Sequence, residues 1–111
     1  MEKKLGKIGK VTFGHGGYDG AMLGMDFTFE GDSWGVGYSK SFWDSEKIKH
    51  TEDCKWSELD RDKYYAEIMK YLSKLLKQAK VSNVNDLKNI PVEVTFENNM
   101  LKDWRILEEV L

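Results

Sequence analysis

The sequence has one cysteine, one proline and no long apolar run. Cys54 has no second cysteine with which to form an internal disulfide. The first ten residues, MEKKLGKIGK, lack the apolar stretch of a signal peptide, and no segment approaches the roughly 20 apolar residues of a membrane-spanning helix. We therefore expect a soluble protein of the cytoplasm that has no membrane partner. A chain of 111 residues is long enough for one core, so residues 1–111 are predicted to form a single domain.

The chain also lacks an excess of positive charge. Its 17 basic residues face 19 acidic ones, which gives a formal net charge of −2. Direct nucleic-acid binding is not expected, because no broad basic surface is available for the phosphates. Only Arg61 and Arg105 are arginines, and the planar guanidinium suits specific tasks that a lysine does not perform.

Alternating apolar residues predict a hairpin in the first half of the chain. Residues 21–30 and 34–42 each alternate with a period of two, which is typical of half-buried strands. An earlier strand, Leu5 to Phe13, is expected to pair with this hairpin. With residues 30–33 as the loop, the predicted facing pairs are Phe29 with Trp34, Phe27 with Val36 and Met25 with Tyr38.

A long amphipathic helix is predicted to follow, with Ser57 as its cap and about six turns. After a short turn, the segments PVEVTFE and LKDWRILEEVL predict a final hairpin around Asn98 and Asn99. A two-residue loop would set Phe96 opposite Leu101, but it would place an aspartate opposite a buried valine.

A three-residue loop buries more apolar surface in that hairpin, so we prefer it. It pairs Val94 with Trp104 and sets Glu93 opposite Arg105 on the other face. The predicted fold is therefore α+β, with the order β-β-β-α-β-β. About five antiparallel strands form one sheet, and one long amphipathic helix packs on one of its faces.

The segment GHGGYDG, residues 14–20, is the densest glycine cluster. A phosphate-binding glycine loop opens a helix and continues into Gly-Lys-Ser/Thr, whereas this segment leads into a strand. Two interpretations stay open. The glycines supply positive φ angles in a plain connection, or the segment recognises a partner. The binding residues expected in the second case are His15, Gly16, Gly17, Tyr18 and Asp19.

No catalytic or metal-binding pattern stands out. A metal site needs three or four converging ligands, and His15, His50, Asp53 and Cys54 have no recognised spacing. Nucleophilic catalysis would require a base beside Cys54 or a serine, and no pair of carboxylates is distinguished among the acidic residues. We therefore predict that the protein is not an enzyme and that it uses no metal or cofactor.

The second face of the first hairpin is predicted to be nearly free of side chains. It collects the residues Gly24, Gly35, Gly37, Asp26, Thr28, Ser39 and Ser41. Glycine weakens strands, so several on one face require a reason. Either another element of the chain packs there, or a partner, a ligand or a second copy approaches the backbone. Gly35 and Gly37 are therefore binding candidates.

Two further candidates lie outside that face. Trp43 and Trp56 flank a polar segment of about a dozen residues, a kind of loop that is often functional. Each tryptophan is either part of the core or an exposed anchor of an interface. Arg105 is either a cross-strand ion-pair partner of Glu93 or a binding residue for phosphate.

Five segments together resemble a family of small phage and prophage proteins. They are FGHGGYDGAMLG, WGVG, KWSELDR, AKV and the closing PVEVTFENNMLKDWRILEEVL. The resemblance spans nearly the whole chain and is most specific in the closing segment. It implies an accessory phage gene product that works in the bacterial cytoplasm, and it carries over no activity, catalytic residue or ligand.

By analogy with anti-CRISPR proteins, we expect a non-enzymatic phage protein that counters a bacterial defence system by binding a host defence protein or complex. One alternative is a sponge for a nucleotide immune signal, in which the glycine segment, Tyr18 and Arg105 of adjoining subunits enclose the ligand. The other is a small enzyme in which an acid or Cys54 meets His15 or His50. A homo-oligomer is compatible with each of them.

Overall fold

The computed structural model describes residues 1–17, 20–44 and 58–111. These residues form five antiparallel strands and one long helix in the predicted order β-β-β-α-β-β, which is an α+β fold. The elements are β1 (Glu2–Gly16), β2 (Met22–Gly31), β3 (Trp34–Trp43), α1 (Glu58–Ala79), β4 (Pro91–Glu97) and β5 (Met100–Ile106). Short 3-10 helices span Val84–Leu87 and Glu108–Val110.

The five strands form one curled sheet with the order β3-β2-β1-β4-β5. β1 lies at its centre and is longer at both ends than the predicted Leu5 to Phe13. Its first half pairs with β4, beginning with Glu2 opposite Phe96. Its second half pairs with β2 and ends with Gly16 opposite Met22. Because each half has its own partner strand, pairing extends β1 beyond the apolar alternation from which it was predicted.

The core lies on the concave face of the sheet. Its central side chains, all at most 5% exposed, are Ile8, Met25, Phe27, Phe29, Val92, Val94 and Ile106. The curl brings together side chains from the two edge strands. Tyr38 of β3 and Trp104 of β5 have ring centroids 6.0 Å apart, and Trp104 also packs on Phe29 at 4.6 Å. The sheet therefore closes part of its own core.

Helix α1 covers the remainder of the concave face beside β3. The Tyr64 ring stacks on Phe42 of β3 with a centroid distance of 4.8 Å. Ile68, Leu75 and Ala79 are buried, and their spacings of seven and four residues place them on one side of a helix. This confirms the predicted amphipathic helix on one face of the sheet.

The predicted register of the first hairpin is wrong by two residues. Its loop is Asp32–Ser33, so Phe29 pairs with Val36 and Phe27 pairs with Tyr38. Ser33 adopts a φ of 62°, which allows a tight two-residue turn and lengthens the ladder. Because a shift by an even number of residues keeps every side chain on its face, the predicted faces of the hairpin are nevertheless correct.

The final hairpin combines both predicted alternatives. Asn98 and Asn99 have φ angles of 53° and 62°, and Phe96 faces Leu101, so the preferred three-residue loop is wrong. The register then shifts between Thr95 and Phe96. A bulge of this kind adds one residue to a strand. Beyond it the predicted pairs are confirmed, namely Val94 with Trp104, Val92 with Ile106 and Glu93 with Arg105.

No helix among the described residues is long and apolar enough to cross a bilayer.

Candidate binding face

Part of the convex face of β1, β2 and β3 carries few side-chain atoms, and it is bordered by Lys10 opposite Thr28, Thr12 opposite Asp26 and Glu30 opposite Gly35. We call it the glycine face, and it comprises Gly14, Gly24, Asp26, Thr28, Gly35, Gly37, Ser39 and Ser41. The strand registers bring these residues together. Gly14 pairs with Gly24, which pairs in turn with Ser41. Gly14 joins the predicted set because β1 continues past Phe13.

One glycine of this face is required by the fold itself. A Cβ atom on Gly24 would lie 2.2 Å from the backbone oxygen of Lys40 and 2.5 Å from the Cα of Ser41. Neither is the mobile end of a side chain, so β2 and β3 would have to move apart to admit it. Gly24 therefore permits the close approach of the two strands.

The other glycines of the face have no such requirement. A Cβ atom on Gly35 or Gly37 would make only ordinary contacts, at 3.7 and 3.8 Å, and one on Gly14 would meet nothing within 4 Å. Gly35 and Gly37 are exposed, and neither has a positive φ angle. Packing within the described chain therefore does not explain why these positions lack side chains.

A hollow of about 240 Å³ occupies one end of the glycine face. Its lining residues are Gly14, Gly16, Gly17, Met22, Gly24, Asp26, Ser39 and Ser41. The Ser39 hydroxyl donates a hydrogen bond to the Asp26 carboxylate, and Asp26 is exposed. The hollow thus offers a carboxylate, hydroxyls and glycine backbone to an incoming group.

The opening glycine segment divides between strand and turn. Gly14 and Gly16 belong to β1, whereas Gly17 and Gly20 adopt φ angles of 71° and 66°. The Gly20 amide donates to the Gly17 carbonyl oxygen at 3.3 Å. Positive φ angles therefore account for two of the glycines, as the first interpretation predicts. Tyr18 and Asp19 lie outside the described residues.

His15 lies at the end of the concave face, away from the glycine face. Its Nε2 is 3.2 Å from Oδ2 of Asp44, and its side chain is 62% exposed. Asp44 also accepts a hydrogen bond from the Tyr65 hydroxyl of α1. This bond to a carboxylate is the main reason why the pKa of Tyr65 is raised. Asp44 therefore joins β1, the end of β3 and the helix.

The Asp44 contacts were not predicted from the sequence, since nothing in its pattern links Asp44 to Tyr65. An acid does meet His15 here, as the enzyme alternative requires, and a carboxylate orients an imidazole in many catalytic pairs. His50, Asp53 and Cys54 lie outside the described residues. The absence of enzymatic activity therefore stays a prediction.

Trp43 is 45% exposed, so its interpretation as a core residue is wrong. It ends β3 opposite Met22, and Met22 lines the hollow. Trp43 therefore lies beside the hollow on the convex side of the sheet, and tryptophan is enriched among the residues that anchor interfaces. Trp56 lies outside the described residues.

Arg105 is an ion-pair residue distant from the glycine segment. Its Nε donates to Glu93 at 3.2 Å and its Nη1 to the two Glu109 oxygens at 3.0 and 3.1 Å. These bonds, first to Glu109 and then to Glu93, raise the pKa of Arg105. Glu93 faces both Arg105 and Leu5. Since Leu5 and His15 are ten positions apart on β1, roughly 30 Å separates Arg105 from the segment.

A second concavity, of about 420 Å³, lies between α1 and β5. Its lining residues are Tyr38, Tyr71, Lys74, Leu75, Gln78, Asp103, Trp104, Arg105, Ile106 and Glu108. Burial, followed by interactions with Tyr38, raises the pKa of Tyr71 well above its usual range. Tyr71 is therefore a neutral phenol at the base of this cleft.

Residues 1–17, 20–44 and 58–111 contain no cluster of three or more side chains suited to a metal ion. Comparisons with protein-family models, curated proteins and solved structures find no match for the chain.

Proposed function

We propose that the protein is a non-enzymatic binding protein whose glycine face receives a partner protein. The family resemblance suggests a phage protein, so the proposed partner is a component of a bacterial defence system, bound in the host cytoplasm. The observation that carries the proposal is the presence of glycine at positions 14, 35 and 37, where the fold leaves room for a side chain.

Strand formation alone favours other residues at these positions. Glycine in a strand loses more backbone entropy on folding and contributes no cross-strand contact. A Cβ atom at Gly37 would make only an ordinary contact with its neighbours, and Thr or Val suits a strand better than glycine does. A bare surface is useful where a partner must approach the backbone closely, which supports a protein interface.

The chemistry of the face indicates what the partner contributes. Asp26 is the charged lining group of the hollow, and its carboxylate is exposed beside Ser39. A lysine, arginine or other donor of the partner would complement it. Trp43 lies next to the hollow, opposite Met22, and an exposed tryptophan covered by a partner is a common anchor of an interface.

The proposal is tested by plating phage on bacterial strains that each carry one defence system and express the chain. We expect the wild-type chain to restore plaques in at least one defended strain and to copurify with a component of that system. Gly37→Gln fills the bare face, so it is expected to abolish both effects while the melting temperature hardly changes.

Thr95→Gln is the matched control, because Thr95 lies on the convex face of β4, away from the glycine face. It is expected to keep full activity. Failure of the wild-type chain in every defended strain, or full activity of a folded Gly37→Gln variant, would refute the proposal.

A second candidate function is a sponge for a nucleotide signal, which the cleft between α1 and β5 supports. Its volume of about 420 Å³ is in the range of small-molecule sites. Trp104 and Tyr71 offer aromatic surface for a base, and Lys74 brings positive charge to a lining that also contains Arg105, Asp103 and Glu108. In this form of the hypothesis the ligand binds beside Arg105 of one copy rather than at the glycine segment.

Titration calorimetry against linear and cyclic nucleotides tests this candidate. We expect heat of binding from the wild-type chain and a large loss of affinity in Lys74→Glu, with Lys63→Glu on the same helix as the control. No heat from any nucleotide would exclude this second function and leave the first one unaffected.

A further inference from the structure

The two edge strands of the sheet differ in how they are protected. Among residues 1–17, 20–44 and 58–111, β3 pairs only with β2, and β5 pairs only with β4. In the part of the chain that the structure describes, no backbone hydrogen bond reaches the second side of β3. An unprotected edge is a template for another strand, so natural proteins commonly shorten, bulge or charge it.

β5 has all three of these protections. It is seven residues long, the β4–β5 ladder has a register shift between Thr95 and Phe96, and three of its residues are charged, namely Lys102, Asp103 and Arg105. These features oppose strand addition at this edge.

β3 has none of them. Its ten residues pair with β2 in one unbroken register. Its one charged residue is Lys40, whose ammonium lies over the Phe42 and Tyr71 rings at 5.4 and 5.8 Å on the concave side. The edge is long, regular and nearly uncharged, which is typical of a strand that pairs with another chain.

We infer that β3 pairs with β3 of a second copy of this chain, antiparallel and about a two-fold axis at Val36. In this register Gly35 lies opposite Gly37 of the second copy, and Trp34 lies opposite Tyr38. The turn residue Asp32 lies beside Lys40. The result is a ten-stranded sheet across two copies.

The self-complementarity of β3 is what favours a second copy over a foreign strand. Around Val36, an aromatic ring meets an aromatic ring and an acid meets a base, and cross-strand pairs of these two kinds are stabilising. Glycine opposite glycine adds no side-chain contact, but it leaves no side chain that could hinder the approach of the second copy. A two-fold axis repeats each pair. Phe42 stacks on Tyr64 of α1 and lies outside the paired segment. Pairing of the two β3 strands therefore leaves the contact between β3 and α1 unchanged.

The dimer would place the two glycine faces side by side and give the partner one continuous surface. The inference does not depend on the proposed function, because pairing of the edges can be measured without any partner.

A disulfide exchange experiment tests the register. Gly35→Cys and Gly37→Cys are made separately in a Cys54→Ser background, since both positions have room for a Cβ atom. Residues directly opposite in a sheet lie within the Cα distance of a disulfide. Mixing the two proteins under mild oxidation is expected to give abundant covalent dimer, whereas each protein alone gives little. Equal yields in all three samples would contradict the register.

Sedimentation measurements test the dimer itself. The wild-type chain is expected to sediment as a dimer, and Asp32→Lys is expected to weaken it at least tenfold because lysine would then face Lys40. Adding Lys40→Glu to Asp32→Lys is expected to restore the dimer, and Glu67→Lys on the exposed side of α1 is the charge-matched control. A wild-type chain that remains monomeric at its highest soluble concentration would overturn the inference.

Discussion

The β2–β3 and β4–β5 hairpins form the two sides of one sheet, and their convex faces differ. The β4–β5 hairpin is bulged, and it carries the Glu93, Arg105 and Glu109 ion pairs. The β2–β3 hairpin is regular, and half of the convex residues in its ladder are glycine or serine, namely Gly24, Gly35, Gly37, Ser39 and Ser41. One hairpin thus covers its backbone with its own side chains, whereas the other leaves it accessible. The convex face of β4–β5 is therefore suited to contact with solvent, and that of β2–β3 is suited to contact with a partner.

The concave faces of the same hairpins are alike and share one core. Phe29 of β2 is fully buried and lies against Tyr38 and Trp104. Behind the accessible convex side of β2–β3 therefore lies the buried core of the sheet. Substitutions on the two faces of one hairpin are expected to have opposite consequences for stability and binding.

The largest effect is expected from Phe29→Ala, which removes the ring that joins the two hairpins. Deleting a buried aromatic ring costs about 3–5 kcal/mol of unfolding free energy. Urea unfolding followed by tryptophan fluorescence measures it, with Phe42→Ala as the control. Phe42 is half-buried, so its loss should cost less. A cost for Phe29→Ala no greater than that for Phe42→Ala would refute the shared core.

A smaller effect is expected from Gly24→Ala, which forces a Cβ atom against the backbone of β3. Such overpacking typically costs about 1–3 kcal/mol. Gly37→Ala, on the same face but with room for the methyl group, is expected to be neutral or to stabilise the chain by up to about 1 kcal/mol. Thermal unfolding of the two variants compares them. Equal destabilisation would show that both glycines are required by the fold.

Asp44→Asn is expected to change the titration of the Tyr65 phenol more than the unfolding free energy of the chain. The raised pKa of Tyr65 is caused mainly by its bond to the Asp44 carboxylate, so the pKa should fall toward its ordinary value. The pKa of Tyr65 is higher in the folded chain than in the unfolded chain. The bond to Asp44 therefore contributes its full stabilisation below the unfolded pKa, and this stabilisation is lost as the pH rises through the folded pKa. Ultraviolet titration of the phenolate, with Tyr65→Phe identifying the signal, measures the change. An unaltered Tyr65 titration in Asp44→Asn would contradict the contact.

The smallest effect is expected from Glu109→Gln on the convex side of the last hairpin. The hydrogen bond from Arg105 lowers the pKa of Glu109 in the folded chain. The stabilisation from this ion pair is therefore present above the ordinary pKa of a glutamate and is lost as the pH falls through the folded pKa of Glu109. Exposed ion pairs contribute little, so unfolding near neutral pH should hardly change. A clear loss of stability at neutral pH would show that the ion pair between Arg105 and Glu109 stabilises the fold.

Local patterns predicted most of the fold. Period-two alternation identified both hairpins, and three- to four-residue spacing identified α1. The turns were predicted less well, because Ser33 and Asn98 adopt positive φ angles and change the loop lengths. A bulge then restored the predicted pairing of Val94 with Trp104, and a bulge leaves no signal in an alternation of apolar residues.

The candidate site was predicted in part. Gly35 and Gly37 were assigned to the bare face from their parity alone, and they lie on it. His15 was grouped with the same glycines, but strand alternation puts it on the concave side, in contact with Asp44. Gly24 and Gly37 look equivalent in the sequence. Only the distances between β2 and β3 show that the fold requires one of them and leaves the other free.

By itself the sequence determined the secondary structure and which side chains share a face, since both follow from local periodicity. The tertiary structure decided which strands are edges, which glycines are open and where Arg105 lies. The reason is physical. Curling of the sheet sets contacts between residues that are far apart in the chain, such as Tyr38 and Trp104. These contacts depend on strand order and twist, which no local pattern specifies.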